Sequence, residues 1–241
     1  MMLECDNLSF SYFGSNKKLM NKVIDNLSFE IKTGEFVSIV GPSGCGKTTL
    51  ANIIAGHLPV EFGIVIFNRK VVSLPGRDRF VISQENDLFD WMTVEQNIKF
   101  SNNADVDKLI KMVHLTGCEN KYPFQLSGGM KKRVAIARAL AADSELLIMD
   151  EPFSSLDYQI RENLYFELLE IWLKTKKTVI LITHDVEEAI FLSDKIFLLT
   201  ENPCKLKKIL LIDFKRPRKA SLRYSKEFLQ LKKVIQESIY I

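Results

Sequence analysis

What this chain lacks narrows its class before any motif is considered. No apolar run approaches the roughly 18 residues of a membrane-spanning helix; the longest, Phe36 to Val40, Leu146 to Met149 and Val179 to Ile182, are the size of strands. Met1 to Asp6 show no basic segment leading into an apolar one, so no secretory signal is expected. Cys5, Cys45, Cys118 and Cys204 have neither CxxC nor Cys/His spacing. That removes a zinc site or disulfide framework and leaves reduced thiols as the expectation. Seven prolines and 11 glycines are too few for a fibrous or disordered chain, and no segment repeats. An excess of one charge is also missing, since 33 Lys/Arg face 30 Asp/Glu, a net +3. The balance is uneven along the chain. Between Glu201 and Ile241, eleven basic residues face four acidic ones, which leaves +7 there and −4 elsewhere. The simplest expectation is a solvated, Lys-rich surface; a regulatory contact or attraction to anionic lipid headgroups are the alternatives.

What is present fits an ordinary globular protein, 46% hydrophobic and 26% charged, in 241 residues. That length suits one large α/β domain with a substantial core. Leu3 to Phe13 and Val23 to Ile31 alternate apolar and polar residues, as half-exposed antiparallel strands do. Phe36 to Val40 is a buried strand entering a glycine-rich loop, and a helix over Thr48 to Ala55 closes at Gly56. Ile64 to Val72 and Arg79 to Ser83 read as further strands. From about Asp87 to Tyr122 the pattern turns helical and more polar, a candidate inserted lobe. In the next helix Met130, Val134, Ala137 and Ala141 share one face, with Lys132 opposite. Leu146 to Met149 and Thr178 to Thr183 are continuous apolar runs, expected of parallel strands covered on both faces. Ile160, Leu164, Leu168 and Ile171 mark an amphipathic helix between them, and Asp185 with Glu188 predicts a capping box. A strand over Ile209 to Phe214 and a helix from Lys226 end the chain. The alternation predicts a doubly wound α/β core.

Two motifs carry phosphate chemistry. Gly41-Pro42-Ser43-Gly44-Cys45-Gly46-Lys47-Thr48, followed by Thr49, fits G-x-x-x-x-G-K-[ST] between a strand and a helix. Small residues let backbone N–H groups converge on phosphate oxygens at a helix N-terminus. Lys47 is then expected on the β- and γ-phosphates and the Thr48 hydroxyl on Mg²⁺. The apolar strand Leu146 to Met149 ends in Asp150 and Glu151. Asp150 is expected to hold the metal through water, and Glu151 to polarise an attacking water.

A third motif, Leu126-Ser127-Gly128-Gly129, opens a helix between these two. In this order the set resembles the ATP-binding cassette (ABC) family. Gln84 stands where the family's Q-loop glutamine belongs, Ser154-Ser155-Leu156-Asp157 matches the D-loop, and His184 follows a strand as the switch histidine does. Tyr12 resembles the aromatic that stacks on adenine, with neighbouring Phe13 as the alternative. The resemblance covers essentially the whole chain. It implies a P-loop core with a mainly parallel sheet, an N-terminal antiparallel β subdomain, an inserted helical lobe at about 87–130 and a C-terminal extension at about 204–241, all within one ATPase domain. Leu88-Phe89-Asp90-Trp91-Met92-Thr93-Val94, Pro123-Phe124-Gln125, Glu151-Pro152-Phe153, Asp185-Val186-Glu187-Glu188-Ala189 and Arg216-Pro217-Arg218 further resemble importers of nitrate, taurine and other sulfonates. Some relatives of that group carry thiamine precursors. Asp90 and Lys132 depart from it, standing where proline and glutamine are usual.

The resemblance implies a mechanism. Two cassettes sandwich ATP, with the phosphate loop of one facing Ser127, Gly128 and Gly129 of the other. Glu151 serves as general base; His184 and Gln84 contact the γ-phosphate, the water or Mg²⁺, to which Gln84 would be a ligand; Asp157 lies in the D-loop. The implied partners are ATP, a second cassette, an integral-membrane permease and, indirectly, an extracytoplasmic binding protein, with the chain peripheral on the cytoplasmic face. Nucleic acid is not implied, because the long coiled-coil insertions of DNA-repair cassettes and the tandem cassettes of translation factors are missing. A non-transport cassette, for example in iron–sulfur assembly, is the remaining alternative.

Overall fold

The computed structural model describes residues 2–13, 20–84, 88–101 and 105–240, without the side chains of Phe13, Met20 and Tyr240. Asp87, where the inserted lobe is expected to begin, and the Phe13 ring therefore lie outside the described residues. Packing divides the chain into two units, Met1–Gly76 with Thr178–Ile241, and Arg77–Lys177.

The first unit holds two sheets. β1 (Leu3–Phe13), β2 (Met20–Ile31), β4 (Phe62–Phe67) and β5 (Lys70–Val71) form an antiparallel sheet in the order β2-β1-β4-β5. Alternation in β1 buries Leu3 and Cys5 and, after a register shift, Leu8 and Phe10, the period of two on each side that marks a half-covered strand. The single strand expected over Ile64 to Val72 is instead a hairpin. Asn68 and Arg69 adopt φ 48° and 64°, a two-residue turn with both central residues left-handed, which matches strand twist. Arg69 hides this signal, because only asparagine and glycine advertise it.

In the other sheet of this unit, β3 (Phe36–Val40) lies between β8 (Thr178–Thr183) and β9 (Lys195–Leu199), parallel to both, and β10 (Leu206–Leu211) runs antiparallel to β9. Every residue of β3 and β8 is buried. α1 (Lys47–Ala55) follows β3, α6 (Val186–Leu192) follows β8, and α7 (Lys226–Tyr240) closes the chain. Gly56 ends α1 at φ 83°, and a Cβ there would lie 2.4 Å from the Leu74 carbonyl oxygen.

The basic C-terminal segment is not simply a solvated surface. Arg218 is buried and donates to the Ile190 and Phe191 carbonyls, while Arg216 donates to the Leu192 carbonyl and pairs with Asp194. These are the last carbonyls of α6, which lack partners within their own helix and attract cations. Arg223 sits 4.6 Å over the Phe191 ring. The lysines at Lys207 and Lys208 do stay exposed.

The second unit contains the parallel pair β6 (Arg79–Ile82) and β7 (Leu146–Asp150) with α2 (Val94–Lys99), α3 (Val106–Met112), α4 (Gly128–Ala141) and α5 (Tyr158–Thr175). Thr93 and Gln96 form a full capping box on α2. The buried Asn97 accepts from Phe89 N–H and donates to the carbonyls of Phe89, Met92 and Thr93, so one amide shapes the turn that carries Trp91. A forked Arg133–Glu167 pair joins α4 to α5 at 2.9 and 2.7 Å. Lys132, expected on the outer face of α4, is buried; its ammonium donates to the Ser83 and Gln84 carbonyls. Carbonyls beyond the end of β6 supply the hydrogen bonds that let the charge turn inward.

Candidate nucleotide site

The phosphate loop leaves β3 and turns into α1 through two left-handed glycines, Gly44 at φ 76° and Gly46 at φ 111°. Gly46 has a second constraint, for a Cβ there would lie 2.5 Å from Val23 Cγ1. Lys47 folds back into the loop, its ammonium donating to the Gly41 and Pro42 carbonyls at 2.9 and 2.8 Å. The cation thus sits inside the curl of backbone that a phosphate would enter. Thr48 is exposed in the first turn of α1, whereas Thr49 is buried and its hydroxyl lies 3.3 Å from the Tyr12 hydroxyl. Tyr12 remains 45% exposed, edge-on to Phe10, which leaves ring surface beside the loop for stacking.

Cys45 is buried within the loop. A hydrogen bond from Cys204, then the Lys47 charge and the loop N–H groups, bring its thiol down to about 7 against the opposing effect of burial. Cys204, the partner thiol, is raised.

β3 and β8 are in parallel register, with Val40 beside Thr183. Gly41 and His184 therefore emerge together at the carboxyl ends of neighbouring strands, where α/β folds bind ligands. Gly41, Pro42, Ser43 and His184 line one cavity of about 550 Å³. Thr183 holds the chain after His184: its hydroxyl accepts from Asp185 N–H at 3.0 Å and donates to Glu188 at 2.6 Å. Asp185 caps α6 as expected, accepting from the Glu187 and Glu188 N–H groups. The other half of the expected capping box is replaced by the Thr183 bridge, because a buried Glu188 carboxylate finds the hydroxyl first. Sequence reasoning missed the opposite wall of the cavity, Lys232, Gln236 and Ile239 of α7. Lys232 pairs there with Glu187, and the amphipathic spacing of α7 was the available signal.

In the other unit, Ile82 pairs with Met149. Gln84 and the carboxylates Asp150 and Glu151 accordingly leave adjacent strands at the same end. Asp150 is buried and Gln84 exposed. Glu151 adopts φ 45°, a left-handed conformation that strains a non-glycine residue and is over-represented at functional sites. Its carbonyl accepts from Ser154 N–H and hydroxyl, which holds the kink.

Ser127 caps α4, accepting from Met130 N–H, with Gly128 and Gly129 as the first helical residues. A Cβ on Gly129 would meet Ile160 Cγ2 at 2.5 Å, and one on Gly128 would meet Leu156 Cδ2 at 3.0 Å. Asp157 caps α5 by accepting from Ile160 N–H. The glycine pair and the Leu156–Asp157 turn therefore pack directly together, leaving the N–H groups of α4 at an open helix start.

Comparison with known proteins decides the class. Residues 24–154 match the family model described as ABC transporter. An ABC transporter ATP-binding protein of Methanocaldococcus jannaschii is 47% identical over 97% of this chain and 89% of its own length. The chain belongs to the ABC transporter family. The aliphatic sulfonates import ATP-binding protein SsuB of Bacillus subtilis is 46% identical over 82% of this chain and 80% of that protein. An ATP-binding cassette solved as a post-hydrolysis dimer bound to ADP and Pi has a TM-score of 0.76 at 27% identity, covering 89% of this chain and all of that one. As a member of that family, this chain is an ATPase.

The residues suit the magnesium that accompanies ATP in this chemistry. Each taken by itself, the Thr48 hydroxyl, the Gln84 amide oxygen and the Asp150 carboxylate are hard oxygen donors, which match Mg²⁺ rather than a softer metal. No group of three or more His, Cys, Asp or Glu forms a protein-only cage among the described residues.

Proposed function

We propose that this chain is the ATP-hydrolysing subunit of an importer for a small solute, most simply an oxyanion such as the sulfonates of the Bacillus subtilis relative's name. Nitrate and taurine belong to the same range. The observation that carries the ATPase part is the Lys47 ammonium held by two carbonyls inside a phosphate loop whose rim also contributes to the His184 cavity. Incoming phosphate oxygens replace those carbonyls as acceptors for Lys47, and the loop N–H groups Gly44 to Thr48 hold the β-phosphate. Tyr12 stacks on the base. His184 and Gln84 orient the γ-phosphate and the attacking water, whose proton Glu151 accepts. Thr48, Gln84 and Asp150 would hold Mg²⁺, which neutralises charge developing across the phosphates. Ser127, Gly128 and Gly129 offer the N-terminus of α4 to the γ-phosphate held by a second copy, with Asp157 beside it.

No helix among the described residues is long and apolar enough to cross a membrane, so transport has to act through a protein contact. Trp91, 72% exposed, lines a shallow cavity of about 450 Å³ with Met92, Gln96, Lys99 and Phe100. An apolar groove of this kind accepts a short helix, and we assign it to a permease on the cytoplasmic face of the membrane, fed in turn by an extracytoplasmic binding protein. Phe89 belongs less to that groove than to its floor, packed against Phe100 at 4.7 Å with Arg138 4.5 Å above its ring.

ATP shared between two copies predicts nucleotide-dependent assembly. Sedimentation of Glu151→Gln should show monomer without nucleotide and dimer with Mg-ATP. A dimer insensitive to ATP, or no dimer at any ATP concentration, contradicts the shared site.

A further inference from the structure

We propose that Lys132 is a positioning residue, tying the chain at Gln84 to the helix that opens at Ser127, so that Gln84 moves with that helix. The proposal rests on the reading of Gln84 as a γ-phosphate and metal contact.

Lys132 lies five residues beyond the helix cap Ser127 and is only 2% exposed. An ammonium withdrawn from water is costly unless its donors are met. Here two backbone carbonyls accept from it. Nζ donates to the Ser83 carbonyl at 3.0 Å and to the Gln84 carbonyl at 2.8 Å. Both carbonyls follow directly on Ile82, the last residue of β6, where the strand ladder no longer fixes the chain. The charge therefore takes over where the ladder stops, and it grips the main chain of Gln84 while the side chain of Gln84 stays exposed.

The same N-terminal stretch of the helix is held on another side. Gly129 lies close enough to Ile160 that a Cβ would not fit, and the Arg133–Glu167 fork fixes α4 against α5 one residue after Lys132. A helix fastened at these points transmits movement of its N-terminus to whatever Lys132 holds. Ser127 to Gly129 are the groups assigned to a second copy's ATP, and Gln84 is assigned to this copy's own. Lys132 physically links the two groups. A glutamine at this position, as in the resembling importers, keeps amide donors but on a shorter, neutral arm. The present lysine thus makes the stronger tether, since hydrogen bonds from charged donors exceed neutral ones.

The experiment is a double-mutant cycle on the full chain, with kcat and KM for Mg-ATP measured for Lys132→Met, Gln84→Ala and the pair. Lys132→Met should lower kcat about tenfold and shift KM less than about twofold, because Lys47 and Tyr12 still hold the nucleotide. The double variant should be no slower than Gln84→Ala within about twofold, since a lost tether cannot misplace a side chain already removed. Amide hydrogen exchange should rise at Ser83 and Gln84 and stay unchanged along α5. If Lys132→Met folds poorly, Lys132→Gln enters the same cycle with an intermediate loss. Effects that multiply in the double variant, or a Lys132→Met enzyme with wild-type kcat, overturn the proposal. Wild-type kcat in Gln84→Ala alone would instead remove the role assigned to Gln84, and the tether's purpose with it.

Discussion

Glycines lead into α1 and open α4, and they are needed for different reasons. At the start of α1, Gly44 and Gly46 take left-handed φ values that ordinary residues resist. At the start of α4, Gly128 and Gly129 are ordinary helical residues whose missing side chains make room for Leu156 and Ile160. The first loop is a backbone conformation of the kind that can wrap a phosphate. The second is a clearance that lets two helices approach while an open helix end faces outward. A glycine-rich motif alone does not distinguish the two, yet they fail differently when a methyl group is added.

Gly46→Ala meets both penalties at once, a forbidden φ and a Cβ 2.5 Å from Val23. It should cost about 4 kcal/mol, the sum of a strained conformation and an overpacked contact, and lower Tm by about 10 °C. Gly44→Ala, with φ 76° but no atom within 4 Å, should cost only about 1–2 kcal/mol. Equal melting temperatures for the two variants would erase the distinction between strain and clash in this loop.

Gly129→Ala carries no φ penalty, only the contact with Ile160. Overpacking of this kind costs about 1–3 kcal/mol, so a Tm loss of a few degrees is expected. Pairing it with Ile160→Val, which removes the δ-methyl but retains Cγ2, should recover little, whereas Ile160→Ala should recover more than half. Recovery by neither would show that the helices cannot yield around the added methyl and that clearance is set by backbone.

The α1 loop also contains a thiol that reports its field. The Cys204 hydrogen bond and the Lys47 charge favour the thiolate of Cys45, so its pKa lies at about 7 rather than 9.0. A depressed pKa means the reactive thiolate is present above about pH 7 and lost below it. In a Cys118→Ser background without nucleotide, the iodoacetamide rate at Cys45 should rise only about twofold between pH 7 and 9, against about fifty-fold for an unshifted thiol. Lys47→Ala should steepen that profile. A fifty-fold rise in the parent protein would mean that the loop does not favour the anion.

How far the sequence leads depends on whether a residue's setting is local. β3, β7 and β8 are continuous apolar runs and are legible as such; the phosphate loop announces its own backbone; helices open at Ser127 and Asp185 where the sequence places them. What is hidden depends on partners distant in the chain. Lys132 reads as solvent-facing by helical period, and the Ser83 and Gln84 carbonyls, distant in the chain, turn it inward. Arg216 and Arg218 read as surface charge until the end of α6 supplies acceptors. The Asn68–Arg69 turn is concealed by apolar alternation on either side. The wall of the His184 cavity comes from α7, more than forty residues beyond the histidine.

The smallest expected effect on stability belongs to Trp91, and it tests whether the α2 turn is built for display. Asn97 fixes this turn through Phe89, Met92 and Thr93, without using Trp91. The Trp91 ring touches Phe89 at 5.3 Å and is otherwise largely in solvent. One aromatic contact of that kind is worth about 0.5–1.5 kcal/mol, and exposure places this one at the lower end. Trp91→Ala should therefore shift Tm by no more than about 2 °C and leave basal ATP hydrolysis within about twofold. Asn97→Ala, which strips four hydrogen bonds from a buried amide, should cost several times more. With a permease present, Trp91→Ala should abolish the stimulation of hydrolysis that transport brings, because the apolar anchor of the groove is gone. A Trp91→Ala protein that melts many degrees lower, with coupling intact in the folded fraction, would place the ring in the lobe's core and the docking surface elsewhere.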